Sequence, residues 1–308
     1  MFKKLNHFII IALLFSSGNI FCQQIEDNEE MTEAEKEKYV EAYMHYADSL
    51  DNTLNYQHGV VLLQDGIATI TVPEGYKFLD KEQANYILTE IWGNPSDPAS
   101  MGLLLKEAEN PLTVSYGIEI SYSDEGYIDD DEAEDIDYDD LLNEMKKDAI
   151  SENEQRKELG YQSVELVGWA SPPFYDSETK KLHWAKELNF EEEAANTLNY
   201  NIRVLGRNGY INLNVIGGME NLSDVKENIN PILNSVAFNS GYAYSDFNPS
   251  FDKVAAYGIG GLIAGKVLAK AGLFAAILKF WKVIAIAVGG AFVTLRKRFF
   301  GGKNQENA

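Results

Sequence analysis

The sequence has one cysteine, Cys22, and four histidines in 308 residues. Common protein zinc sites need clustered cysteines and histidines, and the chain has neither such a cluster nor a His-Glu-x-x-His pair. It also lacks a Gly-x-Ser-x-Gly turn and a phosphate-binding P-loop. These gaps argue against the usual zinc, serine-hydrolase and nucleotide-hydrolysing sites, and we expect no cofactor.

Basic residues are scarce in the body of the chain. Residues 23–252 hold 47 acidic and 15 basic side chains, a net charge of −32, whereas residues 253–308 carry +8. An acidic body of this kind repels nucleic acid and anionic headgroups, so we expect no nucleic-acid partner. The asymmetry is typical of a chain whose two parts face different surroundings.

The N-terminus has the pattern of a secretory signal peptide. Lys3 and Lys4 form a positive region, an apolar stretch follows, and small residues lead to a cleavage site after Cys22. Lipidation of Cys22 is the alternative, but Phe21 stands where that signal has a small residue. Cleavage after Cys22 leaves no cysteine, and the exported domain then folds without disulfides.

No charge-free run near the C-terminus is long enough to cross a membrane unaided. The longest, Val283–Leu295, has 13 residues, which cover about 20 Å of a roughly 30 Å hydrocarbon core. Long basic side chains at both ends can snorkel to the headgroups, and a tryptophan suits the interface. We predict a transmembrane segment at residues 279–298, with the anchor residues Lys279, Trp281, Lys282, Arg296, Lys297 and Arg298.

Residues 253–278 are expected to form a separate glycine-rich helix. Lys266 and Lys270 are four residues apart and share one face, and Gly261 and Gly265 form a G-x-x-x-G pattern that permits close helix contact. The helix is amphipathic, and the sequence leaves open whether it lies at the interface or enters the bilayer. The signal peptide orients the chain in a bacterial cell membrane, with the acidic domain on the periplasmic side and the C-terminus in the cytoplasm.

The region between the two ends alternates hairpins with separate helices. Thr32 and Glu35 match a capping box that starts a helix running to Leu50. This mixture predicts an α+β domain with an antiparallel sheet of hairpins and flanking helices. We divide the chain into a signal peptide (1–22), an acidic leader and helix (23–58), the exported domain (59–252), the glycine-rich helix (253–278), the transmembrane segment (279–298) and a cytoplasmic polar tail (299–308).

Two dipeptides predict tight hairpin loops. Asp65-Gly66 would pair Leu63 with Ala68, and Asn208-Gly209 would pair Gly206 with Ile211. In the second hairpin this register gathers the aliphatic residues on one face. An interruption of regular secondary structure is expected at Pro172-Pro173.

The polar face of the second hairpin is the leading candidate for ligand binding. Guanidinium groups suit carboxylate and phosphate, and amide side chains can complete such a site. In this acidic domain the arginines can instead pair internally with acids. The candidate residues are Asn199, Asn201, Arg203, Arg207 and Tyr210, with Trp169, Tyr175, His183 and Trp184 as walls of a pocket.

The densest run of acids, residues 124–140, is a weaker candidate for metal binding. Asp129, Asp130 and Asp131 supply oxygen atoms of the kind that calcium takes. The run fails the EF-hand spacing, because Gly126 at the sixth loop position would put Ser121 at the first. A solvated acidic loop is the alternative.

Several blocks of the sequence resemble a known bacterial family. They are IWGNP (91–95), DEGYIDDDEA (124–133), GWASPPFYD (168–176), LHWAKEL (182–188), LNYNIRVLGRNG (198–209) and DKVAAYGIGGLIAGKVLAKAGLF (252–274). The chain is similar, in this order of blocks, to predicted membrane-anchored proteins with a domain of unknown function. The resemblance implies an exported domain and a C-terminal membrane segment, with no established activity and no catalytic residue to carry over.

Two functions are therefore open. The first is a non-enzymatic interaction or accessory module that acts at the lipid bilayer with a membrane-protein partner or with a second copy of the chain. The alternative is a membrane-tethered hydrolase acting on an anionic envelope substrate, with Arg203 or Arg207 as an anion clamp. Calcium sensing by the acidic run is a third possibility.

Overall fold

A computed structural model describes residues 32–265, apart from residues 95–96, 159–161, 192 and 194. The predicted signal peptide and transmembrane segment lie outside the described residues. So do the second half of the predicted glycine-rich helix and the polar tail. The anchor residues Lys279, Trp281, Lys282, Arg296, Lys297 and Arg298 therefore remain predictions.

Two antiparallel sheets form the centre of the described fold. The strands of the larger are β3 (Tyr76–Asp80), β4 (Ser100–Lys106), β5 (Tyr116–Ser123), β6 (Val164–Asp176), β7 (Lys181–Phe190), β8 (Thr197–Leu205) and β9 (Tyr210–Gly218). Their order across this seven-stranded sheet is β3-β4-β5-β9-β8-β7-β6. The smaller has β1 (Val60–Leu63), β2 (Ala68–Thr71) and β10 (Val236–Phe238), in the order β1-β2-β10. The predicted α+β class is confirmed.

Helices flank these sheets. They are α1 (Glu33–Asp51), α2 (Lys81–Tyr86), α3 (Tyr138–Glu158), α4 (Leu222–Glu227), α5 (Ile229–Ser235) and α6 (Ile259–Ala264). The predicted capping box starts α1, because the Thr32 backbone N–H donates to Glu35 Oε2 at 2.9 Å and the Glu35 N–H donates to Thr32 Oγ1 at 3.4 Å. A five-residue π-helical turn, Ile87–Ile91, extends α2 to Trp92.

Both faces of the large sheet are covered. On one face Ile118, Ile202 and Leu213 belong to an apolar core shared with the small sheet and with residues of α4 and α5. On the other face, α1 and α2 pack on Leu79 and Leu103 at one end. At the other end α3 lies against β6, and α6 contacts α3. Burying each large aliphatic side chain contributes roughly 1.5–3 kcal/mol, so these layers hold the domain together without disulfides.

The first hairpin has the predicted register. Leu63 pairs with Ala68 and Val61 pairs with Ile70. The connection is a short 3₁₀ turn, Gln64–Gly66. The prediction of this hairpin is confirmed.

The second hairpin has a longer loop than predicted. Val204, not Gly206, pairs with Ile211, and the last pair before the loop is Leu205 with Tyr210. The predicted two-residue loop is therefore wrong, and the connection has four residues, 206–209. Because the register moves by two residues, every side chain keeps its predicted face.

Distant segments explain the longer loop. The Arg207 N–H donates to Tyr242 O at 2.9 Å, and Asn208 O accepts from the Gly126 N–H at 2.9 Å. These backbone groups bond outside the hairpin, so they are not available to extend its ladder. The loop joins three parts of the chain.

The expected interruption at Pro172-Pro173 does not occur. Strand β6 runs through both prolines from Val164 to Asp176. It is the edge strand of the large sheet, and its register against β7 shifts between Trp169 and Ser171 and again before Phe174. Edge positions and bulges tolerate proline, because no ladder hydrogen bond is lost there.

The described part of the glycine-rich segment is packed into the domain. Val254 forms a parallel bridge with Tyr127, and α6 begins only at Ile259. Its residues 259–263 are buried, and Gly265 ends it in a left-handed conformation with φ 71°. Gly265 thus closes a helix, whereas the G-x-x-x-G pattern placed it within one. Among the described residues, no helix has the length and apolar character needed to cross a membrane.

The tight approach of the second hairpin loop to β5 gives a test of the fold. A Cβ atom added to Gly209 would lie 1.8 Å from Ser123 O, whereas one added to Gly66 meets nothing within 4 Å. Both glycines have positive φ, 155° and 85°. We expect Gly66→Ala to cost about 1 kcal/mol of unfolding free energy and Gly209→Ala roughly 3 kcal/mol or more, measured by urea denaturation. Equal costs would show that the loop does not press against β5.

Candidate functional site

A layer of polar side chains lies on the centre of the large sheet, on the face opposite the shared apolar core. We call it the polar layer, and its members are Glu119, Ser121, Lys186, Asn199, Asn201, Arg203, Asn212 and Asn214. All except Asn212 are at most 8% exposed. Burial of this many polar groups is unusual for a sheet, because each needs a partner or it destabilises the fold.

Strand alternation and antiparallel register build the layer. In β5, Ile118 and Ile120 join the apolar core, so Glu119 between them points to the other face. Glu119 lies opposite Asn214, which lies opposite Asn201 in the next strand. The polar side chains thus form continuous rows across neighbouring strands.

A chain of hydrogen bonds connects the amides. Arg203 Nη2 donates to Asn201 Oδ1 at 3.4 Å, and Asn201 Nδ2 donates to Asn199 Oδ1 at 2.8 Å. Asn199 Nδ2 then donates to Asn214 Oδ1 at 2.8 Å. Leaving a buried polar group unpaired costs about 1–3 kcal/mol, so these bonds allow the amides to be buried.

Arg203 is the most deeply buried cation of the layer. Its guanidinium carbon lies 5.1 Å from the centre of the Trp184 ring and 5.4 Å from that of Tyr210, within cation–π range. It also donates to Asn212 Oδ1. Burial lowers the pKa of Arg203, and the neighbouring Tyr210 and Glu119 oppose that shift. The group stays charged, because arginine titrates far above neutral pH.

Glu119 is buried without a basic partner in direct contact. Ser121 Oγ donates to its Oε2 at 3.2 Å, while Oε1 has no partner among the described residues. Burial, followed by repulsion from Asp97, raises the pKa of Glu119 to about 8. At neutral pH this carboxyl is therefore predominantly protonated.

Lys186 is the second buried cation of the layer. It is 8% exposed and lies opposite Asn199. Burial lowers the pKa of Lys186 to about 8; Arg203 lowers it further and Glu152 of α3 raises it.

Arg207 is not part of the layer. Its Nε donates to Asp252 Oδ2 at 2.8 Å and its Nη2 to Asp252 Oδ1 at 3.0 Å, a bidentate ion pair. The hydrogen bond from Arg207 lowers the pKa of Asp252. Arg203 and Arg207 thus have separate partners, and the structure does not join them in one clamp.

The residues expected to wall a pocket divide between the two faces. Trp184 and Trp169 are on the face of the polar layer, and Trp169 Nε1 donates to Tyr138 O at 3.2 Å. His183 is on the opposite face, where Nδ1 lies 2.9 Å from Tyr200 Oη. Burial lowers the pKa of His183. The structure therefore brings Trp184 to Arg203 and separates His183 from both.

Within the acidic run, Asp130 makes hydrogen bonds to three residues from other segments. Its carboxylate accepts from Tyr175 Oη at 2.6 Å, Lys180 Nζ at 2.7 Å and Tyr244 Oη at 2.8 Å. Burial alone would raise the pKa of Asp130, but these hydrogen bonds outweigh it and lower the pKa. The described residues contain no group of three or more His, Cys, Asp or Glu side chains that could hold a metal. Asp129, Asp130 and Asp131 therefore do not form such a group.

The candidate face predicted from the sequence was that of the second hairpin, and it did not include Glu119, Ser121 and Lys186, which lie on β5 and β7. The signal for two of them was present in Tyr116–Ser123, where Glu119 and Ser121 alternate with isoleucines. Such alternation predicts a polar face. That this face is buried depends on long-range packing, which the alternation within one strand does not predict.

The sequence matches the family described as "Protein of unknown function (DUF2167)" over residues 55–293. The chain belongs to this family. The match begins shortly before β1 and includes all residues of the polar layer. A comparison with curated protein sequences gives no match.

The solved structures to which the chain is similar match only part of it. One is the solution structure of cyanobacterial PsbP (CyanoP) from Synechocystis sp. PCC 6803, 11% identical, covering 60% of this chain and 92% of that chain with a TM-score of 0.33. Another is the Ran-binding protein Mog1p of Saccharomyces cerevisiae, 12% identical, covering 63% of this chain and 100% of that chain with a TM-score of 0.33.

The raised pKa of Glu119 predicts a pH dependence of stability. Its pKa rises from 4.5 to about 8 on folding, so the folded state binds more protons than the unfolded state in that window. Wild-type stability should therefore fall as pH rises from 4.5 to about 8. Glu119→Gln cannot ionise, and its advantage in unfolding free energy should grow over the window by on the order of 3 kcal/mol.

Urea denaturation across the same pH range measures this advantage. Glu165→Gln, which alters an exposed carboxylate on β6, is the matched control and should show no comparable trend. A constant difference between Glu119→Gln and the wild type would contradict the burial of an ionisable Glu119.

The ion pair of Arg207 with Asp252 predicts a coupled effect. Arg207→Ala and Asp252→Asn should each lower the melting temperature, because either change removes the bidentate contact between the loop and residue 252. In the double variant the two losses should not add. Additive losses would show that each residue acts through other contacts, and unchanged melting temperatures would leave Arg207 available for a ligand.

Proposed function

We propose that this chain is a membrane-anchored envelope protein whose exported domain is a non-enzymatic module that binds another protein. The observation that carries the proposal is the exposed edge of the small sheet. Val60 and Leu62 of β1 are each 70% exposed. Large aliphatic side chains at such exposure on a strand mark a docking surface.

The edge of β1 is open as well as apolar. Among the described strands it pairs with β2 alone. Its four residues, VVLL, carry no charge or proline, the devices that usually protect an edge from pairing with another chain. Thr69 and Thr71 of β2 lie beside Leu62 and Val60 and extend the surface. An added strand from a partner would bond to the free edge and cover both aliphatic side chains.

The predicted anchor would tether the exported domain to the membrane. Thirteen residues, 266–278, separate the end of the described domain from the predicted transmembrane segment. Even fully extended, they reach only about 45 Å. The proposal therefore places the partner among membrane or envelope proteins, or in a second copy of the chain, and the acidic body favours a partner with a basic surface.

Site-specific crosslinking tests the proposal. A photo-reactive amino acid at position 62 of the full-length protein in native membranes should give one discrete adduct. The matched control is position 150, because Ile150 is 72% exposed but lies on α3. Adducts at both positions, or at neither, would contradict docking at β1.

A substitution at Val60, on the same strand, tests whether the crosslinked contact involves the edge of β1. Val60→Lys should reduce the adduct formed from position 62 by about tenfold, since burying an unpaired ammonium in an interface costs more than 1 kcal/mol. The substitution should leave the melting temperature nearly unchanged, because the side chain is exposed. An undiminished adduct would show that the contact does not involve the edge strand.

A further inference from the structure

One side of α1 continues beyond the part of the domain that it packs on. Tyr43, Ala47 and Leu50 join the apolar cluster that covers one end of the large sheet. Val40 and Met44 lie on the same side of the helix, because at about 100° per residue all five positions fall within an arc of about 120°. Val40 and Met44 are nevertheless 41% and 42% exposed. The side of α1 that is buried near Leu50 is therefore uncovered nearer the start of the helix.

Two tyrosines widen the uncovered area. Tyr39 and Tyr46 are seven residues apart, border the same arc and are 57% and 54% exposed. Single exposed apolar side chains are ordinary, but here four large ones lie within the eight residues 39–46. We call the group of Tyr39, Val40, Met44 and Tyr46 the α1 surface. Such a grouping is typical of a surface that another molecule covers.

The charges beside the α1 surface restrict what can cover it. Glu37 and Glu41 are exposed, lie four residues apart and border the arc on the side away from the tyrosines. Asp48, also exposed, extends this acidic border. Lys36, the one cation within the arc, already interacts within the chain. The border therefore favours a cationic partner.

Two kinds of occupant are disfavoured by the acidic border. A second copy of the chain would bring the same acids to the contact, together with another acidic body. Anionic lipid headgroups would likewise place like charges together. A protein segment with lysine or arginine beside apolar side chains complements both the apolar arc and its border.

We propose that the α1 surface binds an amphipathic helix of another protein, with apolar residues on Val40 and Met44 and basic residues beside Glu37 and Glu41. Two helices pack along such a stripe as in a coiled coil, where the flanking charges select the partner. The α1 surface precedes the residues matched to the family, 55–293, whereas β1 lies within them. It is thus a second surface, and failure of docking at β1 leaves this proposal intact.

A synthetic amphipathic helical peptide of leucine and lysine tests the surface. Its binding to the full-length protein in nanodiscs of zwitterionic lipid is measured by fluorescence anisotropy, with empty nanodiscs as the blank. We expect it to bind about tenfold more tightly than a scrambled peptide of the same composition. A peptide with glutamate in place of lysine should bind more weakly still. Equal binding of all three peptides would overturn the proposal.

Substitutions in α1 locate the contact. The double variant Val40→Ser, Met44→Ser should weaken binding of the leucine-lysine peptide by about tenfold, since it removes apolar contact area without changing charge. The matched control is Ala42→Ser, which is exposed on the other side of the helix and should bind as the wild type does. Unchanged binding by the double variant, or an equal loss in the control, would overturn the proposal.

The charge of the border has its own test. Glu37→Gln with Glu41→Gln should weaken binding and flatten its dependence on salt, because two exposed carboxylates no longer attract the peptide. All these side chains are exposed, so the melting temperatures should stay close to that of the wild type. An unaltered salt dependence would show that the acidic border does not select the partner.

Crosslinking in native membranes separates the possible occupants. A photo-reactive amino acid at position 40 should give one discrete protein adduct, which an excess of the leucine-lysine peptide suppresses, whereas position 42 should give none. An adduct of twice the mass of the chain would identify a second copy, and a lipid adduct would identify the bilayer. Either of these results, or the absence of any adduct at position 40, would overturn the proposal.

Discussion

Burial of the large sheet on both faces is the constraint on which the rest of the domain depends. A sheet with one face in water can carry polar side chains there at little cost. Here helices and the segment after β10 cover the second face, so polar side chains on its central strands must find partners inside the protein. The amide chain from Asn201 to Asn214 and the stacking of Arg203 between two rings are the result.

The few cations of the acidic domain divide into two groups. One group ties loops and elements together, as Arg207 does with Asp252, Lys180 with Asp130 and Lys106 with Asp224. The other group, Arg203 and Lys186, lies in the polar layer on the large sheet, where Arg203 contacts the rings of Trp184 and Tyr210.

Local patterns predicted much of the fold. The capping box at Thr32 and the first hairpin follow from residues close together in sequence, and the structure has both of them. The faces of the second hairpin were also predictable, since a shift of two residues preserves the alternation. The polar residues of that face were therefore named from sequence, including Asn199, Asn201 and Arg203.

Long-range contacts account for what the sequence did not show. The loop at 206–209 is longer than its dipeptide predicts because Tyr242 and Gly126 take its backbone hydrogen bonds. The path of β6 through two prolines depends on its position at the edge of the sheet. The partners of Arg207 and His183, Asp252 and Tyr200, come from other segments, so no spacing within their own segments identifies them.

The attachment of residues 252–257 has a mechanical consequence. Asp252 is bonded to the second hairpin loop, Val254 is bridged to Tyr127, and the Tyr257 hydroxyl donates to Glu125. Residues 258–263 then lie buried in the domain with no free linker before residue 265. A force applied to the chain at residue 265 is therefore transmitted directly to the loops that border the polar layer. Tension at one end of the domain and the packing of its most buried charges are therefore parts of one mechanical system.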